Sequence, residues 1–108
     1  MRKYMALVLL MFFIPTGISW KTWLSMYPTL NAIVKCESNY NTNAVGDHGK
    51  SVGIFQIHLP AHPDVSRAEA KDPWFSLRWA IEKYYAGELE IWSCYNLLVK
   101  KGQIIEEL

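Results

Sequence analysis

The segment Pro28-Thr29-Leu30-Asn31-Ala32-Ile33-Val34-Lys35-Cys36-Glu37-Ser38-Asn39 decides how this 108-residue chain is read. Leu30, Ile33 and Val34 recur at i, i+3 and i+4, and Pro28 is pre-set for a first helical position. A helix from about Pro28 to Asn39, with an apolar stripe on the core, is predicted. The next position of that stripe, i+7, is Glu37, and the period that turns the aliphatic residues inward turns this carboxylate inward as well. A lone buried charge is costly, and protein sites answer by raising the pKa of the acid. A Glu still protonated near neutral pH can give its proton to a leaving-group oxygen, as cleavage of a glycosidic bond requires. Periodicity by itself leaves a second reading open, a Glu at a frayed helix end rotated to water or bonded to the following turn.

Working outward, Asn39 to Asn43 breaks the period, and Gly46-Asp47-His48-Gly49 is dense in turn formers. Ser51 to Ile57 is short and apolar-rich, either a strand of a small hairpin or the start of a buried helix, and Pro60 and Pro63 close it. Ser66-Arg67-Ala68-Glu69 fits a capping box heading a short helix to Lys71. Asp72 as N-cap and Pro73 at the first helical position launch a longer helix. Its Trp74, Leu77, Ile81 and Tyr84 share one face, and Gly87 lies beyond its end. Trp92 to Val99 reads as a last helix, and residues 100–108, with Lys100, Lys101, Glu106 and Glu107, as a solvated polar tail.

At the other end, Arg2 and Lys3 precede ten unbroken apolar residues, Met5 to Ile14, followed by small residues at Gly17 and Ser19. Residues 1–19 therefore read as a secretory signal peptide cut after Ser19. The apolar run falls short of the roughly 20 residues that span a bilayer, so an uncleaved anchor over residues 5–18 ranks second and a buried N-terminal helix third. Residues 20–99 then form one domain. A composition of 51% apolar and 19% charged residues suits a globular core with no room for a second. Without the leader, 9 basic side chains face 10 acidic ones, which argues against nucleic acid as a partner. Five Trp and six Tyr exceed what so small a core needs and point to a ring-lined surface for a flat-faced ligand such as a sugar. Trp79 and Tyr85, off the core stripe of their helix, are the stacking candidates. The two cysteines, Cys36 and Cys94, are most simply one disulfide in an exported chain and two buried thiols in a reducing one. Paired, they close a loop whose chain-entropy contribution is about 4 kcal/mol.

Cys36-Glu37-Ser38, Asn41-Thr42-Asn43-Ala44-Val45, Gly53-Ile54-Phe55-Gln56-Ile57 and Cys94-Tyr95-Asn96 together resemble the lysozyme-like superfamily, in particular its soluble lytic transglycosylase domain. That family's pattern is Glu-Ser at a helix end, a Gly-x-x-Gln segment and an Ala-Tyr-Asn motif. Here Cys94 replaces the Ala, and the resemblance covers about Pro28 to Asn96. It implies a mainly α, lysozyme-like α+β fold, a small helical domain in which a short hairpin or irregular segment around Gly46 to Ile57 forms one wall of a substrate groove. It also implies Glu37 as the catalytic acid at the groove floor, Ser38, Ser51 and Gln56 as substrate contacts, and Tyr95 as the residue orienting the carboxyl group. Because Cys36 and Cys94 each directly precede one of the two residues the family sets side by side, it implies that their disulfide ties the Glu37 helix to the last helix.

The reaction implied is cleavage of the β-1,4 bond between N-acetylmuramic acid and N-acetylglucosamine in peptidoglycan. One Glu serves as acid and then base, the muramyl 6-hydroxyl attacks the anomeric carbon, and a 1,6-anhydro product forms without cofactor. The alternative is a hydrolysing lysozyme, which needs a second carboxylate. Ser51 stands where animal-type lysozymes carry an Asp. Gly46-Asp47-His48-Gly49 matches the Gly-Asp-x-Gly of goose-type lysozymes, so Asp47 is the candidate second carboxylate, and His58 stands where those enzymes carry a further Asp. For Asp47 the plain reading is a turn-stabilising side chain. A third reading is a secreted domain that binds glycan without cutting it. The expected partners are peptidoglycan strands, with the membrane touched only through the N-terminal segment, and the expected state is a monomer outside the cytoplasm. A metal site drawn from His58, His62 and Asp64 lacks workable spacing across Pro60, so none is expected. Ser51 as a nucleophile finds no base beyond His48.

Overall fold

The computed structural model describes residues 17–104. The apolar run of the expected leader, with residues 105–108 of the expected tail, lies outside them. Among the described residues the chain is mainly helical with one small antiparallel sheet. Its elements are α1 (Trp20–Ser25), α2 (Pro28–Ser38), β1 (Val45–Gly46), β2 (Ser51–Val52), β3 (Ile57–His58), α3 (Arg67–Lys71), α4 (Pro73–Tyr85) and α5 (Ser93–Lys100). The sheet order is β1-β2-β3, so the whole sheet is one meander inserted between α2 and α3. No helix among these residues is long and apolar enough to cross a membrane.

The local rules of helix ends account for most boundaries. Pro28 opens α2, its stripe of Leu30, Ile33 and Val34 is wholly buried, and Asn39 stops it in a left-handed conformation with its N–H on the Val34 and Lys35 carbonyls. Ser66 and Glu69 form the reciprocal capping box of α3, Ser66 Oγ accepting from the Glu69 N–H and Glu69 Oε1 from the Ser66 N–H. Asp72 Oδ1 accepts from the Trp74 N–H at 2.9 Å, and Pro73 fills the first turn of α4. Helix α1 has no counterpart in the sequence reading, because six residues are too few to display a helical period. Its N-cap is Ser19, whose Oγ accepts from the Thr22 N–H, so the expected cleavage point coincides with a helix cap.

One open alternative is settled and two expectations change. Ser51 to Ile57 belongs to a small hairpin and is not a helix start. It is two strand ends joined by the tight turn Gly53–Gln56, closed by the Gln56 N–H on the Gly53 carbonyl. Trp79 is core, not a sugar platform. It lies edge-on to Trp92 at 5.9 Å, and Trp92 packs at a tilt against Phe55 and donates from Nε1 to the Phe55 carbonyl at 2.8 Å. Helix α4 is packed on more than one side, so its buried face spans Ser76, Leu77, Trp79, Ala80 and Ile81, wider than a single stripe predicts. Finally, the polar tail begins later than residue 100. Helix α5 includes Lys100, the Gln103 N–H returns to the Leu98 carbonyl, and Ile104 packs against the core.

One glycine fixes where the sheet sits. Gly53 has φ +85°, and a Cβ there would meet the Ala70 carbonyl oxygen at 1.9 Å. The hairpin turn is thus seated directly on the α3–α4 corner, where the buried Ser76 hydroxyl also donates to the Ala70 carbonyl at 2.7 Å.

Candidate functional site

The last turn of α2 projects Glu37 toward the start of α5, and the carboxyl is half-buried there. Glu37 Oε2 accepts from the Cys94 N–H at 3.3 Å. Cys94 is in the first turn of α5, where backbone N–H groups have no partner within the helix, so the side chain fills an orphan position at a helix N-terminus. The Cys36–Cys94 disulfide, with Cα atoms 6.0 Å apart, clamps the same two helix ends together. Burial holds the Glu37 carboxyl above the ordinary carboxylate range. The Cys94 hydrogen bond pulls it partly back, and the negative charge of Asp47 pushes it up again. The inward direction read from the α2 period is therefore the one observed. A frayed, water-facing Glu is not.

Ser38, Gln56 and Tyr95 are all brought to this region. Ser38 Oγ donates to the Ile54 carbonyl at 2.8 Å and lies 3.2 Å from the Val34 carbonyl, tying the end of α2 to the hairpin turn. Gln56 spends both Nε2 hydrogens on the Ala44 and Gly53 carbonyls, at 3.1 and 3.0 Å, and its Oε1 lies against Gly46, where a Cβ would meet it at 2.5 Å. These two side chains hold the site's shape. Tyr95 is buried at 5% exposure, next to Cys94, whose backbone N–H meets Glu37.

A polar cluster lies on β2, β3 and the turn that precedes β2. Ser51, 2% exposed, donates from Oγ to Asp47 Oδ2 at 2.5 Å, and the same Oγ lies 3.0 Å from His58 Nδ1. Asp47 Oδ2 and His58 Nδ1 are 3.9 Å apart, both side chains being largely open to solvent. The sequence reading offered Ser51 only His48 as a companion, whereas the register supplies His58. Ser51 pairs with His58 across β2 and β3, and cross-strand partners share a face. A hairpin reading of Ser51 to Ile57 centred on Ile54 and Phe55 would have found it. His62 faces elsewhere, edge-on to Trp79 at 4.8 Å, and burial lowers its pKa, with Lys83 adding to the effect. Among the described residues, no three His, Cys, Asp or Glu side chains gather as a metal site would require.

Backbone strain marks the same region. The non-glycine residues with left-handed φ among those described, Asn39, Tyr40, Asp47, His48 and Gln56, all lie in the stretch between the end of α2 and β3. Such conformations persist where the surroundings over-determine them, and they cluster at functional sites. A depression of about 460 Å³ beside the disulfide, lined by Ala32, Lys35, Cys36, Leu98, Gln103 and Ile104, is separate and shares only Cys36 with the residues considered above. Of the aromatic residues expected on a ligand surface, Tyr85 is exposed and lies edge-on to Tyr84 and Tyr27. Comparison with protein-family models, with curated proteins and with solved structures returns no match to this chain.

Proposed function

We propose that the protein cleaves the β-1,4 bond between N-acetylmuramic acid and N-acetylglucosamine in peptidoglycan without water, leaving a 1,6-anhydromuramyl end. The observation that carries this reading is Glu37, a half-buried carboxyl held above its ordinary pKa at the junction of α2, α5 and the sheet. A carboxyl shifted in that direction gives its proton more readily to a glycosidic leaving oxygen at a given pH above its ordinary range. A binding module would have no use for it. The muramyl 6-hydroxyl supplies the attacking oxygen, so one carboxyl suffices and no cofactor is called for. The protein acts outside the cytoplasm, in the periplasm or cell wall, where a Cys36–Cys94 disulfide persists.

A hydrolytic second reading draws on Asp47, whose charge reaches Glu37 and whose carboxylate is held by Ser51. Digestion of purified peptidoglycan followed by mass analysis of the muropeptides separates the two, since an anhydro end is one water lighter than a reducing end. The expected products are anhydromuropeptides, and E37Q should lower turnover by about 10²–10⁴ with the fold intact. Reducing ends as the main product would favour hydrolysis. An E37Q protein as active as wild type would remove the enzymatic reading.

A further inference from the structure

The mechanism just given asks Glu37 to act twice, as acid and then as base, and leaves the chain Asp47, Ser51, His58 without a task. The hydrogens in that chain can be assigned. A carboxylate only accepts, so the Ser51 hydroxyl hydrogen lies on the 2.5 Å contact to Asp47 Oδ2. Ser51 Oγ then presents lone pairs to His58 Nδ1 at 3.0 Å, and Nδ1 must supply the hydrogen of that bond. In the neutral ring this leaves Nε2 with its lone pair. The ring is 45% exposed, which keeps Nε2 within reach of a bound molecule, and Asp47 Oδ2 at 3.9 Å provides a counter-charge once the ring is protonated. Holding the arrangement requires Ser51 to be buried in register with His58 and Asp47 to fold back over it from a left-handed backbone position. Ser38, next to Glu37, bonds the Ile54 carbonyl in the turn that joins the strands of Ser51 and His58, so the chain and the carboxyl belong to the same junction of α2 with the hairpin.

We propose that Asp47 and Ser51 lock His58 in its Nδ1–H tautomer and that His58 Nε2 is the base that takes the proton from the attacking hydroxyl. The inference rests on the glycosidic reading of the preceding section and divides its two proton transfers between two residues. Glu37 gives its proton to the departing O4 as the C1–O4 bond breaks, O6 forms the new bond to C1, and the O6 proton passes to Nε2. Loss of that proton from the imidazolium to solvent, and return of one from solvent to Glu37, restores the starting state with no net proton consumed.

The tautomer is read directly from long-range ¹H–¹⁵N correlations of the histidine rings in the full-length, disulfide-bonded protein. The expected pattern is a protonated Nδ1 and a bare Nε2 for His58, with S51A reverting to the Nε2–H form that predominates in free histidine. In peptidoglycan digestion, H58A should lose about 10²–10⁴ in kcat with little change in KM and recover activity on addition of imidazole. H58Q, which keeps a donor for Ser51 but no base, should fold and be equally inactive. An Nε2–H ring in the wild type, full activity in H58A or H58Q, or a loss that imidazole does not restore would overturn the proposal. A wild type that leaves peptidoglycan intact would instead remove the glycosidic reading and the base role together, while the ring correlations would still decide whether the Asp47–Ser51 lock exists.

Discussion

At the scale of single residues, the features that define the site are opposing effects on one proton. Burial favours the neutral form of Glu37, and the Cys94 N–H favours the charged form. Burial wins, so the folded protein binds this proton more tightly than the unfolded chain does. The resulting stabilisation is complete below the ordinary value of 4.5 and is lost as pH rises through the raised one. E37Q remains neutral and keeps an acceptor for Cys94. Thermal unfolding should therefore find the two proteins matched near about pH 4, with E37Q increasingly the more stable toward about pH 7. A wild type at least as stable as E37Q at neutral pH would mean that the Cys94 hydrogen bond outweighs burial. Gln56 makes a different residue-level point. Its amide satisfies two backbone carbonyls, so Q56A should destabilise by about 1–3 kcal/mol in denaturant unfolding whether or not substrate is present.

At the scale of elements, the short sheet sets the site because its position is tightly determined despite its size. Strands of two residues contribute few ladder bonds, and the hairpin depends on its seating against α3 and α4 and on the Ser38 link to α2. Gly53 is the contact point. G53A would combine a left-handed backbone position with a Cβ inside van der Waals distance of the Ala70 carbonyl. These effects together should cost about 2–4 kcal/mol, read as a fall in Tm of roughly 8 °C or more. Ser51 and His58 ride on the displaced strands, so any folded G53A protein should also lose the His58 ring tautomer of the wild type. A G53A protein with unchanged Tm would show that the hairpin is not seated on that corner.

For the whole molecule, the Cys36–Cys94 bond has two consequences from one linkage. It closes a loop of 58 residues' separation, worth about 4 kcal/mol on the chain-entropy estimate, a large part of the net stability of a domain this small. It also fixes the α5 N-terminus against Glu37, because the cysteine that forms the bond carries the N–H that the carboxyl accepts. C36S/C94S protein should lose about 4 kcal/mol in denaturant unfolding. It should also show a Glu37 carboxyl resonance that titrates differently from that of the wild type. A double variant with wild-type stability would put the connection between α2 and α5 in their packing alone.

Local chemistry was legible in the sequence. The α2 period and the Ser66 and Asp72 caps each depend on residues within one or two helical turns, so the chain announces them by itself, whereas the same period left Glu37 open between an inward and a water-facing direction. Cysteine pairing was legible for another reason, since two cysteines, if they pair with each other, have one way to do so. What only the tertiary structure decided is everything that joins distant segments. Ser51 meets His58 because a tight turn sets the register, and Gln56 serves the hairpin because Ala44 lies across from it. Trp79 enters the core because α4 is covered on more than one side, and the Cys94 N–H reaches Glu37 because α5 presents its first turn to the end of α2. Periodicity fixes which way a side chain leaves its own backbone. Which partner waits there depends on packing between elements, and no local pattern encodes that.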